Sequence, residues 1–228
     1  GKGYPALEPV LSKSGERLVE KMTPWGEHYA SVFKRVKGQA VEEAGFDDEI
    51  MFAYGEALGQ LHALSRAYTA PKIRRRTHLE VFDWVGETLS SLGGQSPALD
   101  ELRILRDFFS RLPVSNENYG LIHFDFEPDN VYYEPAAHVC SVIDFDDAMY
   151  HWYVMDVAKT LDSLEKEIER SVYVHKKALF LAGYRGKSDL DEDLLKAMPL
   201  FRRFANLYGY TRVARAMQEQ WDNEPDWL

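Results

Sequence analysis

Hydrophobic residues along this chain recur with two periods, one typical of helices and one typical of strands. After residue 49, apolar side chains return every three or four positions, as at Ile50, Tyr54 and Leu58. This spacing predicts an amphipathic helix over residues 49–68. The same period, together with Pro, Gly and cap signals, predicts further helices from Thr77 onward and over residues 99–112, 156–170, 172–184, 190–198 and 201–218. The Ser residues and the Gly93-Gly94 pair predict a loop over residues 90–97.

Shorter apolar runs predict strands in two places. Near the start of the chain they cover residues 9–11, 17–22 and 29–36. In the middle, residues 131–133 and 139–143 flank a turn and predict a β-hairpin. The pattern as a whole predicts an α+β fold, with a mainly helical large part after an antiparallel N-terminal part.

Composition places the chain among proteins that bury a substantial core. It has 228 residues, 45% of them hydrophobic, and a formal net charge of −10. This charge argues against nucleic acid and anionic membrane as partners, because both repel it. No apolar run is long enough to cross a bilayer, and we expect no signal peptide. The single cysteine, Cys140, forms no internal disulfide, which favours a cytoplasmic location.

His123, Asp125 and Asn130 form the pattern H-x-D-x-x-x-x-N near the middle of the chain. Phosphoryl transfer requires an aligned hydroxyl nucleophile and neutralisation of the charge on the phosphates. The protein itself does little covalent chemistry in it. Asp125 is the candidate carboxylate that orients the hydroxyl and takes its proton. Asn130 offers a neutral amide oxygen, which is a hard ligand suited to Mg²⁺.

A second acidic motif, Asp144-Phe145-Asp146, follows the predicted hairpin. Asp144 is the candidate anionic Mg²⁺ ligand that bridges the phosphates of ATP. A hairpin of this length returns Asp144 to the neighbourhood of Asp125 and Asn130. Each residue taken singly is also explained as a turn residue or a cap. The two motifs joined by strand, turn and strand are far more specific.

This central segment resembles the aminoglycoside phosphotransferase and choline kinase family, which has a protein-kinase-like fold. The resemblance implies that Asp125 is catalytic, that Asn130 and Asp144 bind metal, and that Mg²⁺ and ATP are used. It also implies that His123 and Asp156 support the catalytic loop and do no chemistry. A plain helix N-cap is the alternative explanation of Asp156.

The family's small N-terminal lobe carries a phosphate-covering loop, a strand lysine and a helix glutamate, and we find none of these in the sequence. We therefore expect residues 1–37 to be a remnant of that lobe with its hinge, and residues 38–228 to be the helical catalytic lobe. By order along the chain, the backbone of Lys34 and Val36 would pair with adenine, and Phe33 would wall its pocket. An edge strand ending in a basic turn explains the same residues.

Acidic residues surround the predicted site at Glu127, Asp146 and Asp147. Acidic walls attract amines, so this rim permits a cationic acceptor, and a solvated rim is the alternative. Glu127 stands where the resemblance places a lysine in protein kinases acting on Ser or Thr, which favours small-molecule substrates. Aminoglycosides, choline-like alcohols, amino sugars and homoserine-like compounds all fit, and the sequence sets no oligomeric state.

Three functions compete for these motifs. The first is a small-molecule kinase that moves the γ-phosphate of ATP to a hydroxyl group. The second is a kinase-like binding or regulatory module without catalysis, which the missing small-lobe parts favour and the intact metal ligands oppose. The third is a metal-dependent hydrolase, which the kinase-type spacing opposes. We expect the first function, with weak or no activity for residues 1–228 alone.

Overall fold

Eight helices occur among the residues that the structure describes. The computed structural model describes residues 3–24, 26–69, 74–93 and 96–218. The helices are, in chain order, α1 (Val41–Ala44), α2 (Asp48–Arg66), α3 (His78–Ser91), α4 (Ser96–Phe109), α5 (Val154–Glu167), α6 (Arg170–Arg185), α7 (Glu192–Lys196) and α8 (Met198–Ala216). Within the described ranges, no helix has both the length and the apolarity required to cross a bilayer.

Short antiparallel strands form the N-terminal part of the fold. Their pairs are β1 (Pro9–Val10) with β4 (Val32–Phe33), and β2 (Val19–Thr23) with β3 (Gly26–Ala30). The continuous strand predicted over residues 29–36 is therefore wrong. The chain leaves the β2–β3 hairpin at Ser31 and then pairs with a different partner, so the apolar run is divided between two strands.

Five further strands support the central loops. They are β5 (Gln39–Ala40), β6 (Tyr119–Ile122), β7 (Val131–Glu134), β8 (Val139–Val142) and β9 (Met149–Trp152). The predicted hairpin is present as β7 and β8, with Val131 opposite Val142, and β5 extends it on the β7 side. The sequence did not predict the pair of β6 and β9, whose strands have four residues each.

Helices α2 and α6 form the centre of the large lobe because their backbones approach closely. A Cβ on Gly55 would lie 1.9 Å from the Phe180 carbonyl oxygen, and a Cβ on Gly183 would lie 2.0 Å from that of Phe52. Only glycine fits at such a crossing. Large buried side chains such as Tyr54 fill the space beside it, and the core is continuous with the β7–β8 hairpin.

The helix boundaries refine the sequence-based expectations. Thr77 does start a helix, because its side chain accepts a hydrogen bond from the Glu80 amide in a capping box with Glu80. The predicted loop over residues 90–97 is too long, since α3 continues through Ser91 and α4 begins at Ser96. Asp156 is not the N-cap of α5: it lies inside the first turn, and Tyr153 occupies the cap position.

Candidate active site

The loop between β6 and β7 carries the H-x-D-x-x-x-x-N motif, and His123 fixes its shape from within. This histidine is fully buried. Its Nε2 lies 2.9 Å from the Ile143 carbonyl oxygen, and its Nδ1 accepts the Asp125 amide hydrogen at 3.2 Å. One side chain therefore links the loop to the strand that leads to Asp144. The supporting role of His123 stays a prediction, for which these contacts supply the geometry.

Asp125 and Asn130 come together at the open end of this loop. The Asn130 side-chain Nδ2 donates to the Asp125 carbonyl oxygen at 3.1 Å and to Asp125 Oδ2 at 3.0 Å. Since Nδ2 faces Asp125, the amide oxygen Oδ1 is the atom of Asn130 that remains available to a cation. Asn130 is buried, whereas about a third of the Asp125 side chain is exposed. The carboxylate can therefore meet a substrate.

The β7–β8 hairpin places Asp144 beside Asn130. The Ile143 amide donates to the Asn130 carbonyl oxygen at 3.0 Å. Because Asp144 follows Ile143, the backbones of the two candidate metal ligands, Asn130 and Asp144, lie close together. Asp144 is exposed and has a φ of 57°, in the left-handed region. Residues with short polar side chains adopt this conformation at functional turns more readily than most.

The donor set fits a magnesium ion that is shared with phosphates. In the described ranges, no three His, Cys, Asp or Glu side chains gather into a metal site. Asn130 and Asp144 would supply only two oxygen ligands, one neutral and one anionic. Mg²⁺ commonly takes one or two protein oxygens and completes its shell with water and substrate phosphates.

Asp156 ties α5 to the backbone of the loop between β6 and β7. Its Oδ2 accepts the His123 amide at 2.9 Å, and its Oδ1 accepts the Phe124 amide at 2.7 Å. Phe124 has a φ of 69°, which is unfavourable for an aromatic residue. The carboxylate therefore holds a strained backbone turn immediately before Asp125.

A buried histidine on α2 completes this support. His62 Nε2 lies 3.0 Å from Asp156 Oδ2, and His62 Nδ1 lies 2.8 Å from the Tyr184 hydroxyl. Burial lowers the pKa of His62, and the Asp156 carboxylate only partly opposes this shift. Burial raises the pKa of Asp156, but hydrogen bonding and charge from His62 and His123 bring it below its usual value. The ionised Asp156 carboxylate thus accepts a hydrogen bond from His62 Nε2–H.

Lys159 is the residue at the site that sequence analysis did not identify. Its Nζ lies 3.1 Å from Asp125 Oδ1, 3.4 Å from Glu127 Oε1 and 4.5 Å from the centre of the Phe124 ring. Only 16% of the side chain is exposed. Helical spacing contained the signal, because residues three apart share a face and Lys159 follows Asp156 by three positions.

The predicted acidic rim is partly neutralised. Glu127 contacts Lys159, and Asp147 forms an ion pair with Arg212 at 2.6 Å. Asp146 is exposed, and its backbone carbonyl accepts a hydrogen bond from Arg75 at 2.6 Å. Cations therefore stand beside two of the three carboxylates proposed to attract an amine.

The predicted hinge residues lie on and after β4. The Lys34 amide donates to the Glu8 carbonyl oxygen at 2.9 Å, so its carbonyl and not its amide is the group left for a ligand. Phe33 is exposed, with 45% of its surface accessible. Gly38 packs directly on the Tyr133 backbone, which fixes the chain where it enters the large lobe. The adenine contacts of Phe33, Lys34 and Val36 stay predictions.

Comparison with known proteins identifies the family and the relatives of this chain. Residues 3–190 match the model of the phosphotransferase enzyme family. Amicoumacin kinase of Bacillus subtilis (strain 168) is 26% identical over 203 residues, which cover 81% of this chain and 56% of that protein. Homoserine kinase of Caulobacter sp. (strain K31) is 31% identical over 227 residues, covering 93% and 65%. The chain thus spans roughly three fifths of the length of these relatives.

Solved structures show the same fold. An amicoumacin kinase, hAmiN, in complex with AMP-PNP, Ca²⁺ and Ami superimposes with a TM-score of 0.79 at 22% identity. The match covers 99% of this chain and 69% of that one. The expected α+β, protein-kinase-like fold is therefore confirmed. Because its sequence matches the family model over residues 3–190, the chain belongs to the phosphotransferase enzyme family.

Proposed function

We propose that this chain forms the catalytic lobe of a kinase that transfers the γ-phosphate of ATP to a hydroxyl group of a small molecule. The observation that supports this most directly is the convergence of Asp125, Asn130 and Asp144 on two adjacent loops. A binding module without catalysis would not need all three. Amicoumacin and homoserine kinases among the relatives make small hydroxyl compounds the first acceptors to test.

Each residue of the site has a distinct task in this proposal. Asn130 Oδ1 and the Asp144 carboxylate would hold Mg²⁺, which neutralises charge on the nucleotide phosphates when it is bound. The Asp125 carboxylate would accept a hydrogen bond from the acceptor hydroxyl, align its oxygen with the γ-phosphorus, and take its proton as the new bond forms. His123 and Asp156 keep Asp125 in place through the loop backbone.

Lys159 reduces the electrostatic repulsion that this arrangement of carboxylates would otherwise create. Asp125 and Glu127 would both face an anionic γ-phosphate, and like charges at close range repel. The ammonium group within hydrogen-bonding distance of both carboxylates reduces this repulsion. It also restrains the Asp125 side chain on the side opposite Asn130. We therefore assign Lys159 a positioning role for Asp125.

The test combines nucleotide binding with transfer, on the protein as its gene encodes it. Mg-ATP is titrated calorimetrically into wild type, Asp144→Ala and the control Asp100→Ala, whose carboxylate lies on the exposed face of α4. We expect magnesium-dependent binding that only Asp144→Ala loses. ADP release is then followed with mixtures of aminoglycosides, amino alcohols and hydroxy amino acids, and Asp125→Asn should lower kcat by about 10²–10⁴-fold.

Three results would contradict the proposal. Binding without transfer to any acceptor indicates the non-catalytic module. Release of inorganic phosphate without an acceptor, dependent on Asp125, indicates a hydrolase. Equal binding by wild type and Asp144→Ala removes the metal assignment.

A further inference from the structure

A polar cavity of about 300 Å³ lies beside the loop that follows Asp144. It is bounded by the loop that precedes α3, the loop that follows Asp144, and α8. Its polar lining consists of three consecutive arginines, two carboxylates and one phenol, namely Arg74, Arg75, Arg76, Asp146, Asp147 and Tyr208. This cluster is cationic on balance, although the chain as a whole carries a formal charge of −10.

The three arginines differ in how they are held. Arg74 makes two hydrogen bonds to the Glu80 carboxylate, at 2.7 and 2.8 Å, and is therefore occupied. Arg75 donates to the Asp146 carbonyl oxygen at 2.6 Å, which fixes its guanidinium beside the metal motif. Arg76 has no hydrogen bond or ion pair from its side chain to any described residue. Two guanidinium groups are thus available at a preformed cavity.

The carboxylates of the cavity leave room for one further negative charge. Asp147 is neutralised by Arg212 at 2.6 Å. Counting the Asp146 carboxylate, which also lines the cavity, against the charges of Arg75 and Arg76 leaves one cationic charge uncompensated. A monoanion such as a carboxylate balances it, whereas a phosphate dianion would exceed it. The planar guanidinium fork also matches carboxylate geometry.

The cavity adjoins the catalytic loop through one aromatic contact. The Tyr208 ring lies 5.5 Å from the Phe124 ring, and Phe124 immediately precedes Asp125. Burial raises the pKa of the Tyr208 hydroxyl, and Arg212, Arg76 and Lys159 oppose that shift. Arg75 also contacts the Asp146 backbone, two residues after Asp144, so a small molecule in the cavity lies beside both loops of the candidate site.

We propose that Arg75 and Arg76 bind a carboxylate of the phosphoryl acceptor, so that the substrates of this kinase are hydroxy acids or hydroxy amino acids. The inference rests on the proposed function, because it names the acceptor class of that site. It also gives the basic run at residues 74–76 a task that the sequence alone did not assign. The acidic rim and the anion-binding arginines, Arg75 and Arg76, then lie side by side at the same site.

The kinetic test uses pairs of acceptors that differ only in the carboxylate. L-Homoserine is compared with 3-aminopropan-1-ol, and 4-hydroxybutyrate with propan-1-ol, by ADP release. We expect kcat/KM to be at least about tenfold higher for the acid of each pair. Arg76→Ala should raise KM for the acids by about 10–100-fold, with Arg76→Lys intermediate, and leave KM for Mg-ATP unchanged. Arg103→Ala, an exposed arginine on α4, is the matched control.

Two kinetic results would overturn the inference. The first is equal use of acid and carboxylate-free acceptors. The second is an Arg76→Ala variant whose KM rises for Mg-ATP and not for the acid, because the arginine would then serve the nucleotide.

A binding measurement separates this inference from the proposed function. The Nε–Hε NMR signals of the arginines are recorded during titration with 4-hydroxybutyrate and, separately, with propan-1-ol. Shifts of the Arg75 and Arg76 signals with the acid alone support the carboxylate site, even if no acceptor is phosphorylated. Unchanged signals at tens of millimolar acid overturn it, even if the protein proves to be a kinase.

Discussion

Asp156→Asn tests whether a single buried carboxylate holds the catalytic loop. The carboxylate accepts two backbone amides, from His123 and Phe124, and a third hydrogen bond from His62. Asparagine has the same shape but only one accepting oxygen. Its NH₂ group must therefore face at least one of these donors at a fully buried position.

The cost of this change follows from the number of bonds lost. A hydrogen bond to a charged group contributes about 1.5–3 kcal/mol, and breaking a buried ionic arrangement from one side costs about 3–5 kcal/mol. At least one such bond is lost and a buried amide hydrogen is left without an acceptor. We therefore expect the free energy of unfolding to fall by about 3 kcal/mol.

Urea unfolding followed by circular dichroism measures this loss. The control is Asp162→Asn, on the same helix but at the surface, where the carboxylate is 33% exposed and contacts Lys166 and Arg202. Surface ion pairs contribute little, so the control should lose less than about 1 kcal/mol. An Asp156→Asn protein within about 1 kcal/mol of wild type would refute the reasoning, because such a small change is typical of an exposed site.

Three further predictions follow from other contacts. Gly183→Ala should lower the free energy of unfolding by about 1–3 kcal/mol, because the new Cβ would lie 2.0 Å from a backbone oxygen. Gly209→Ala is the control in the same urea assay: its Cβ has open space around it, so the free energy of unfolding should rise by up to about 1 kcal/mol. Burial lowers the pKa of His78 to about 4 and that of His151 well below 6.5. These histidines bind protons in the unfolded chain at a pH at which they stay neutral in the folded protein, so the free energy of unfolding should fall as the pH drops from about 6.5 towards 4. Urea midpoints that do not change with pH would contradict this. Lys159→Ala should lower kcat by about 10–100-fold, and added methylammonium should restore part of it, which a purely structural role would not allow.

Several features of the fold could be predicted because they depend on neighbours along the chain. The β7–β8 hairpin follows from two apolar runs around a turn, and it brings Asn130 and Asp144 together by local geometry. The start of α3 follows from Thr77 and its capping box. Element boundaries were less exact: the run at residues 29–36 contains no signal that it divides between two pairing partners.

The sequence by itself determined the helical periods, the central hairpin and the candidate residues for phosphoryl transfer, because these depend on spacing within a few tens of residues. The tertiary structure alone decided which distant groups act on them. Lys159 reaches Asp125 across 34 positions, and Arg75 reaches the Asp146 backbone across 71. Such contacts arise where segments distant in the chain pack together, as where the Tyr150 amide donates to the Arg76 carbonyl oxygen at 2.8 Å. The cation beside Asp125 and the arginines that line the cavity are therefore properties of the packed chain.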